Sequence, residues 1–156
     1  KTFTLHKEML DLKKTISEIV EQQRMKTKKP VDISVKIVPD DLQVNADRQH
    51  FMQIINNICD NAVKYSNERV SVEISCTKEP DGNVIIKISD NGIGISKPHQ
   101  QHIFDKFYRV PSGNLHDVKG YGLGLYYVAT MMRLHGGEIS VESEKGKGTT
   151  FNLLFR

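Results

Sequence analysis

Residues 70–90 constrain this chain more than any other stretch. Val70, Val72, Ile74 and Cys76 alternate with Ser71, Glu73, Ser75 and Thr77. Side chains on a strand point to opposite faces in turn, so this spacing predicts a strand with one buried and one wetted face. Pro80-Asp81-Gly82-Asn83 is a strong hairpin turn signal. Residues 84–89 read as the return strand, which ends at Asp90. A sheet wetted on one side must cover its other side, and the flanking periodicity supplies helices. Leu12, Ile16, Ile19 and Val20 recur at helical spacing, with Asp11 as N-cap. Phe51, Ile54, Ile55, Ile58 and Ala62 form the apolar face of a second helix over residues 47–65. Leu125, Val128, Ala129 and Met132 mark a third, closed by Gly136-Gly137.

Ile33, Val35 and Ile37 predict a further strand before the Pro39-Asp40-Asp41 turn. Ile139-Ser140-Val141 and Phe151-Asn152-Leu153 are final strands joined by Gly146-Lys147-Gly148. Together these predict an α+β fold: a two-layer sandwich of one mainly antiparallel sheet with helices on one face. Its 156 residues suit one domain, 1–156. The formal net charge of +3 does not suggest a nucleic-acid partner, although Lys26-Thr27-Lys28-Lys29 is locally basic. No apolar run is long enough to span a bilayer. Cys59 and Cys76 lack metal-ligand spacing and read as reduced core residues.

Residues 96–119 are weakly patterned. Pro98 suits a first helical turn, with Ile103, Phe104 and Phe107 as anchors, and Pro111-Ser112-Gly113-Asn114 reads as irregular. A long segment of this kind inside a compact domain is a candidate functional loop.

Chemistry gathers at three places. Asn57, Asn61 and Lys64 recur at i, i+4 and i+7, one polar stripe beside an apolar helix face. Amide oxygens suit Mg²⁺, which shares phosphate oxygens, and an ammonium neutralises phosphate. Asp90 ends an apparently central strand just before Gly92 and Gly94. Its ionised carboxylate only accepts hydrogen bonds, which selects the exocyclic amine of adenine over the oxygen of guanine. Gly120, Gly122 and Gly124 open a helix whose free amides and dipole favour an anion. Neither glycine cluster matches the usual P-loop or dinucleotide spacing. Singly, each has a plain structural reading as a solvated helix face, a turn-initiating aspartate or a hinge. His99 and His102 lack a third ligand nearby and read as solvated.

In order, these phrases resemble the catalytic and ATP-binding domain of bacterial two-component sensor histidine kinases. That domain belongs to the wider gyrase, chaperone, kinase and mismatch-repair ATPase group. Asn57-Ile58-Cys59-Asp60-Asn61-Ala62-Val63-Lys64-Tyr65 resembles the N box, and Asp90-Asn91-Gly92-Ile93-Gly94 the first glycine box. Phe104-Asp105-Lys106-Phe107-Tyr108-Arg109 resembles the F box. Gly120-Tyr121-Gly122-Leu123-Gly124-Leu125 and Gly146-Lys147-Gly148-Thr149-Thr150-Phe151 resemble the later glycine boxes. The phrasing from Phe107 to Gly120 also resembles kinases of the Bacteroidetes group.

The resemblance implies a Bergerat-type fold, with ATP and Mg²⁺ as cofactors. Asp90 would bind the adenine amine, helped by Gly94, with Gly92 beside it. Asn61 would coordinate Mg²⁺ together with Asn57. Lys64 and Arg109 would contact phosphate, Tyr65 would line the nucleotide, and Asn57, Lys64 and Arg109 would be the catalytic set. Gly120, Gly122, Leu123 and Gly124 would bring backbone amides to the phosphates, and Thr149 would join the cofactor-binding residues. Residues 96–119 would be the ATP lid.

The implied reaction passes the γ-phosphate to a histidine on a dimerisation and phosphotransfer domain, with a response regulator downstream. The phosphoacceptor helices are expected to be absent from this chain. The isolated domain is expected to be a monomer on the cytoplasmic side, and the full-length protein a homodimer anchored in the inner membrane. Hydrolysing relatives carry a glutamate where this chain has Asn57, and an amide cannot serve as that general base. A hydrolysing clamp and a non-catalytic nucleotide sensor are the alternatives.

Overall fold

The computed structural model describes residues 3–66, 68–108 and 124–156. The elements run β1 (Lys7–Asp11), α1 (Leu12–Lys26), β2 (Val31–Val38), β3 (Gln43–Asp47), α2 (Arg48–Lys64), β4 (Val70–Lys78), β5 (Val84–Asp90), α3 (Lys97–Gln100), α4 (Gly124–Leu134), β6 (Glu138–Glu144) and β7 (Gly148–Phe155). Five strands form one sheet in the order β2-β4-β5-β7-β6, parallel only between β2 and β4. β1 and β3 pair separately as a two-stranded antiparallel ribbon.

The period-two pattern sets the inner face. Val72, Ile74 and Cys76 on β4, Ile86 and Ile88 on β5, and Phe151, Leu153 and Phe155 on β7 are all buried. They meet Ile16 and Ile19 of α1, Phe51, Ile54, Ile55 and Ile58 of α2, and Val128 and Met132 of α4 in one core. Fully burying a side chain such as Phe51 contributes about 1.5–3 kcal/mol. β5 is the central strand, so Asp90 ends in the middle of the sheet.

Aspartates start both long helices. Asp11 accepts from the Lys14 N–H at 3.4 Å, and Asp47 from the His50 N–H at 3.1 Å. Asp47 also accepts from the His6 N–H at 2.9 Å, tying the N-terminal segment to the α2 cap. Buried His135, just after α4, completes this junction. Its Nε2 accepts from the Asp47 N–H at 3.1 Å, while Nδ1 lies 2.7 Å from the Met131 carbonyl.

The F-box stretch differs from expectation. α3 is a single turn, and Ile103 is buried while Phe104 packs edge-on against Phe151 at 6.3 Å. Phe107 anchors nothing: it is 63% exposed and has a positive φ of 67°. A side chain that bulky rarely adopts such a backbone conformation, so the local fold holds it there. His99 is also less free than expected, since its Nδ1 lies 2.5 Å from the Tyr108 hydroxyl. His6, which the sequence places in an apparent strand, lies just before β1.

Candidate functional site

The motifs that are far apart in sequence converge beside the end of β5. The carbonyl of Tyr65, the α2 C-cap, accepts from the Ile93 N–H at 2.9 Å. The Gly146 N–H donates to the Ile93 carbonyl at 2.6 Å. Asn57 Nδ2 reaches the carbonyl of Gly124 at 3.4 Å, bringing the N-box helix to the start of α4. Asp90 is paired in register with Thr149 across β5 and β7. N box, first glycine box, α4 and last glycine box therefore share one neighbourhood.

Two glycines of the first box are required by the chain's own packing. A Cβ on Gly92 would stand 2.5 Å from the Tyr65 carbonyl oxygen. A Cβ on Gly94, whose φ is +75°, would stand 2.1 Å from the Glu144 carbonyl oxygen. Such distances exclude any side chain unless backbone moves. The turn after Asp90 is thus pressed between the end of α2 and the β6–β7 hairpin.

Asp90 is held rather than loose. Its Oδ1 accepts from the Gly92 N–H at 2.8 Å. Burial raises its carboxyl above the usual aspartate range, while backbone hydrogen bonds from Gly92 and Thr149 pull it partly back. Thr149 itself is buried, with Oγ1 at 2.8 Å from Ser143 Oγ. The structure therefore makes Thr149 a support for Asp90.

On α2, Asn57 Oδ1 accepts from Gln53 Nε2 at 2.8 Å. The Asn61 side chain has no hydrogen-bond partner among the described residues and is half-buried on the same stripe. Lys64 is exposed and lines a groove with Lys26, Lys28, Lys29 and Asp60 toward α1. Arg109, Gly120, Gly122 and Leu123, together with residues 110–119 of the expected lid, lie outside the described residues. Phe107 and Tyr126 are exposed, and Lys106 Nζ stands 5.4 Å and 5.7 Å from their ring centroids.

Ser143 and Gln100 escaped the sequence reading. Ser143 Oγ accepts from the Ile95 N–H at 2.7 Å, and Gln100 Nε2 reaches the carbonyls of Ile95 and Ser143 at 2.6 and 2.9 Å. They fasten the segment after Gly94 to β6. A serine in an exposed-edge strand and a glutamine in a polar run carry no pattern that would single them out.

A partly buried carboxylate at the end of the central strand, beside a helix bearing amides, on a sheet covered by helices on one face, is the arrangement to set against known ATPase folds. Residues 46–156 match the family described as histidine kinase-, DNA gyrase B- and HSP90-like ATPase, and the chain belongs to that family. Within it, the chain is a histidine kinase ATP-binding domain homologous to two-component sensor kinases. It is 50% identical to the sensor protein RprX of Bacteroides fragilis over 108 residues, covering 68% of this chain and 21% of that protein. It is 35% identical to the sensor histidine kinase WalK of Bacillus subtilis over 155 residues, 98% of this chain and 25% of that protein. The chain thus spans about a fifth to a quarter of these relatives.

Among solved structures, the mycobacterial sensor histidine kinase MprB superposes with a TM-score of 0.82 at 25% identity, covering 96% of this chain and 97% of that one. Full-length ShkA in complex with AMPPNP superposes with a TM-score of 0.85 at 24% identity, covering 99% of this chain and 32% of that one. The second shows likeness of fold. No helix among the described residues is long and apolar enough to cross a membrane.

Proposed function

We propose that this domain holds Mg–ATP and presents its γ-phosphate to a histidine on a dimerisation and phosphotransfer segment of the same protein. A response regulator would act downstream. The reading rests chiefly on Asp90: a carboxylate at the end of the central strand, held through one oxygen by Gly92, in the turn that bonds the Tyr65 carbonyl at the end of the N box. Its acceptor-only chemistry fits the amine of adenine.

The amide stripe fits Mg²⁺. Asn61 offers an uncommitted carbonyl oxygen, and Asn57 retains one lone pair beyond its bond from Gln53. No cluster of three acidic, histidine or cysteine side chains stands ready for a metal among the described residues. That donor set suits an ion taking most of its oxygens from phosphate and water. Bound there, the ion would neutralise developing phosphate charge. Lys64 and Arg109 would add positive charge, and Gly120, Gly122, Leu123 and Gly124 would supply amides. Catalysis would be positioning and charge neutralisation, with the nucleophile brought by the partner segment. Asn57 supplies no general base for water, which favours transfer over hydrolysis. Phe107 and Tyr126 offer an exposed aromatic contact for the incoming helix.

Titration calorimetry of the chain with ATP and GTP tests this. ATP should bind and GTP should bind much more weakly. Equal binding of the two nucleotides would remove the role given to Asp90.

A further inference from the structure

Gln23 is an unusual side chain for its place. It is the last buried residue of α1, only 2% exposed, on a helix whose inward face is otherwise Leu12, Thr15, Ile16, Ile19 and Val20. Its Nε2 donates to Asn56 Oδ1 at 2.8 Å and to Asp60 Oδ1 at 3.1 Å. Asn56 Nδ2 returns a bond to Gln22 Oε1 at 3.0 Å, and Lys26 Nζ lies 2.9 Å from Asp60 Oδ1. α1 thus grips α2 through a polar network with a buried amide at its centre.

The two residues gripped are Asn56 and Asp60, each immediately before one of the amides Asn57 and Asn61. At 3.6 residues per turn, the gripped stripe lies about 100° round the helix from the amide stripe. A rotation of α2 by about 10°, at a side-chain radius of about 5–6 Å, would move an amide oxygen by about 1 Å. Mg²⁺ tolerates little departure from octahedral geometry. The large core anchors of α2, Phe51, Ile54, Ile55 and Ile58, lie in its first three turns, while only Cys59 and Ala62 are buried beyond them. The end of α2 that carries Asn61 and Lys64 is therefore the part least held by apolar packing. It is also where the network acts, reinforced by Lys29 Nζ on the Val63 carbonyl at 3.1 Å.

We infer that Gln23 is a positioning residue: through Asn56 and Asp60 it fixes the rotation of the N-box helix and so the placement of Asn57 and Asn61 toward the metal–phosphate group. This inference rests on the Mg–ATP reading above. It assigns a role in nucleotide binding to a residue on a helix outside the motif set.

The test measures affinity for a non-hydrolysable ATP analogue with Mg²⁺ and with chelator, by calorimetry, for several variants. Gln23→Met keeps bulk and removes the amide. Asn56→Ala cuts the same link at a half-exposed site that tolerates truncation. Ile19→Val loosens the same helix and leaves the network whole. Gln23→Met and Asn56→Ala should each lower the Mg²⁺-dependent gain in affinity about tenfold, with chelator affinity unchanged. Ile19→Val should leave that gain intact at a similar loss of Tm. In the Asn61→Ala background, Gln23→Met should take nothing further from the gain, because the loss of Asn61 leaves no Mg²⁺-dependent gain for the positioning to act on. If Asn61→Ala abolishes the gain while Gln23→Met and Asn56→Ala retain it, the inference falls and the Mg–ATP reading stands. If Asn61→Ala itself retains the gain, both fall.

Discussion

A single carboxylate shows how binding and stability diverge. Burial raises the Asp90 carboxyl above the ordinary aspartate range. A group raised in this way stabilises the fold below its unfolded value near ~3.9, and that contribution is lost as pH rises through the folded value. At neutral pH, ionised Asp90 is therefore a burden on the fold. Asp90→Asn should leave Tm unchanged or raised, since an amide oxygen still accepts from Gly92. ATP affinity should nevertheless fall by roughly ten- to a hundredfold, the scale of a charge-assisted hydrogen bond of about 1.5–3 kcal/mol. Thermal unfolding and calorimetry on the same preparation check both halves, and a mutant that keeps parental ATP affinity would refute the adenine contact. For the parent, affinity should decline on acidification at a higher pH than an ordinary aspartate would give. At Asn61, truncation to alanine should abolish the Mg²⁺ enhancement and leave the unfolding free energy within about 0.5 kcal/mol of the parent's, because the side chain is only half-buried and unpartnered among the described residues.

Between elements, His135 joins the end of α4 to the cap of α2. Burial holds its imidazole below the usual histidine range despite the bond to Met131. Asp47 is the counterpart: burial pushes its carboxyl up, but the N–H groups of His6 and His50 and the nearby imidazoles outweigh that and hold it low. A lowered histidine contributes stability that is complete above its unfolded value near ~6.5 and is lost as pH falls through the folded value. A lowered aspartate acts the same way from ~3.9 downward. Between pH 7 and 5 the histidine sets the slope, so Tm should fall over that window. His135→Gln removes the titration while keeping an amide donor and acceptor, and it should flatten the decline. An unchanged slope would rule His135 out as its source. At the β6–β7 turn, Gly148 has a φ of +93° and its Cβ position lies 2.1 Å from the Asp90 carbonyl oxygen. Gly148→Ala should therefore cost more than about 1 kcal/mol and weaken ATP binding by displacing Asp90, read by denaturant unfolding and titration together.

The elements that were legible in sequence share a physical trait. α1 was legible from its Asp11 cap and apolar spacing, α2 from five apolar positions, and β4 and β5 from strict alternation and a Pro-Asp-Gly turn. β3 was not read, and β1 only as an apparent strand at His6, because Gln43–Asp47 has no long alternation and Lys7–Asp11 buries a single side chain. A two-stranded ribbon is specified by its pairing and by Asp47, not by a pattern of its own. The same limit applied at the site. Asp90, Asn57 and Asn61 announce themselves by chemistry, whereas Gln23, Gln100, Ser143 and His135 matter through partners 33 to 88 residues away.

For the molecule as a whole, the placement of its histidines decides whether this chain can accept the phosphate itself. Of its six histidines, none is placed as a nucleophile among those the structure describes. His135 has both ring nitrogens engaged. His50 Nδ1 lies 2.5 Å from the Tyr127 hydroxyl, His99 bonds Tyr108, and His102 pairs with Asp105 at 3.0 Å. His6 lies beside the α2 cap, and His116 is outside the described residues. In-line transfer needs a nucleophile held within about 3–3.5 Å of the reacting phosphorus. The chain alone should therefore bind ATP without labelling itself. A helical phosphoacceptor fragment added in trans should become labelled slowly, because docking is then bimolecular. Phe107→Ala should lower that transfer about tenfold or more while leaving ATP affinity unaltered, since its exposed ring, with Tyr126, is assigned to the incoming helix. Incubation with γ-labelled ATP, followed by acid and base treatment, distinguishes phosphohistidine from phosphoester. Stoichiometric acid-labile label on the chain alone would show that one of its own histidines is the acceptor, and undiminished transfer by Phe107→Ala would move the docking surface elsewhere.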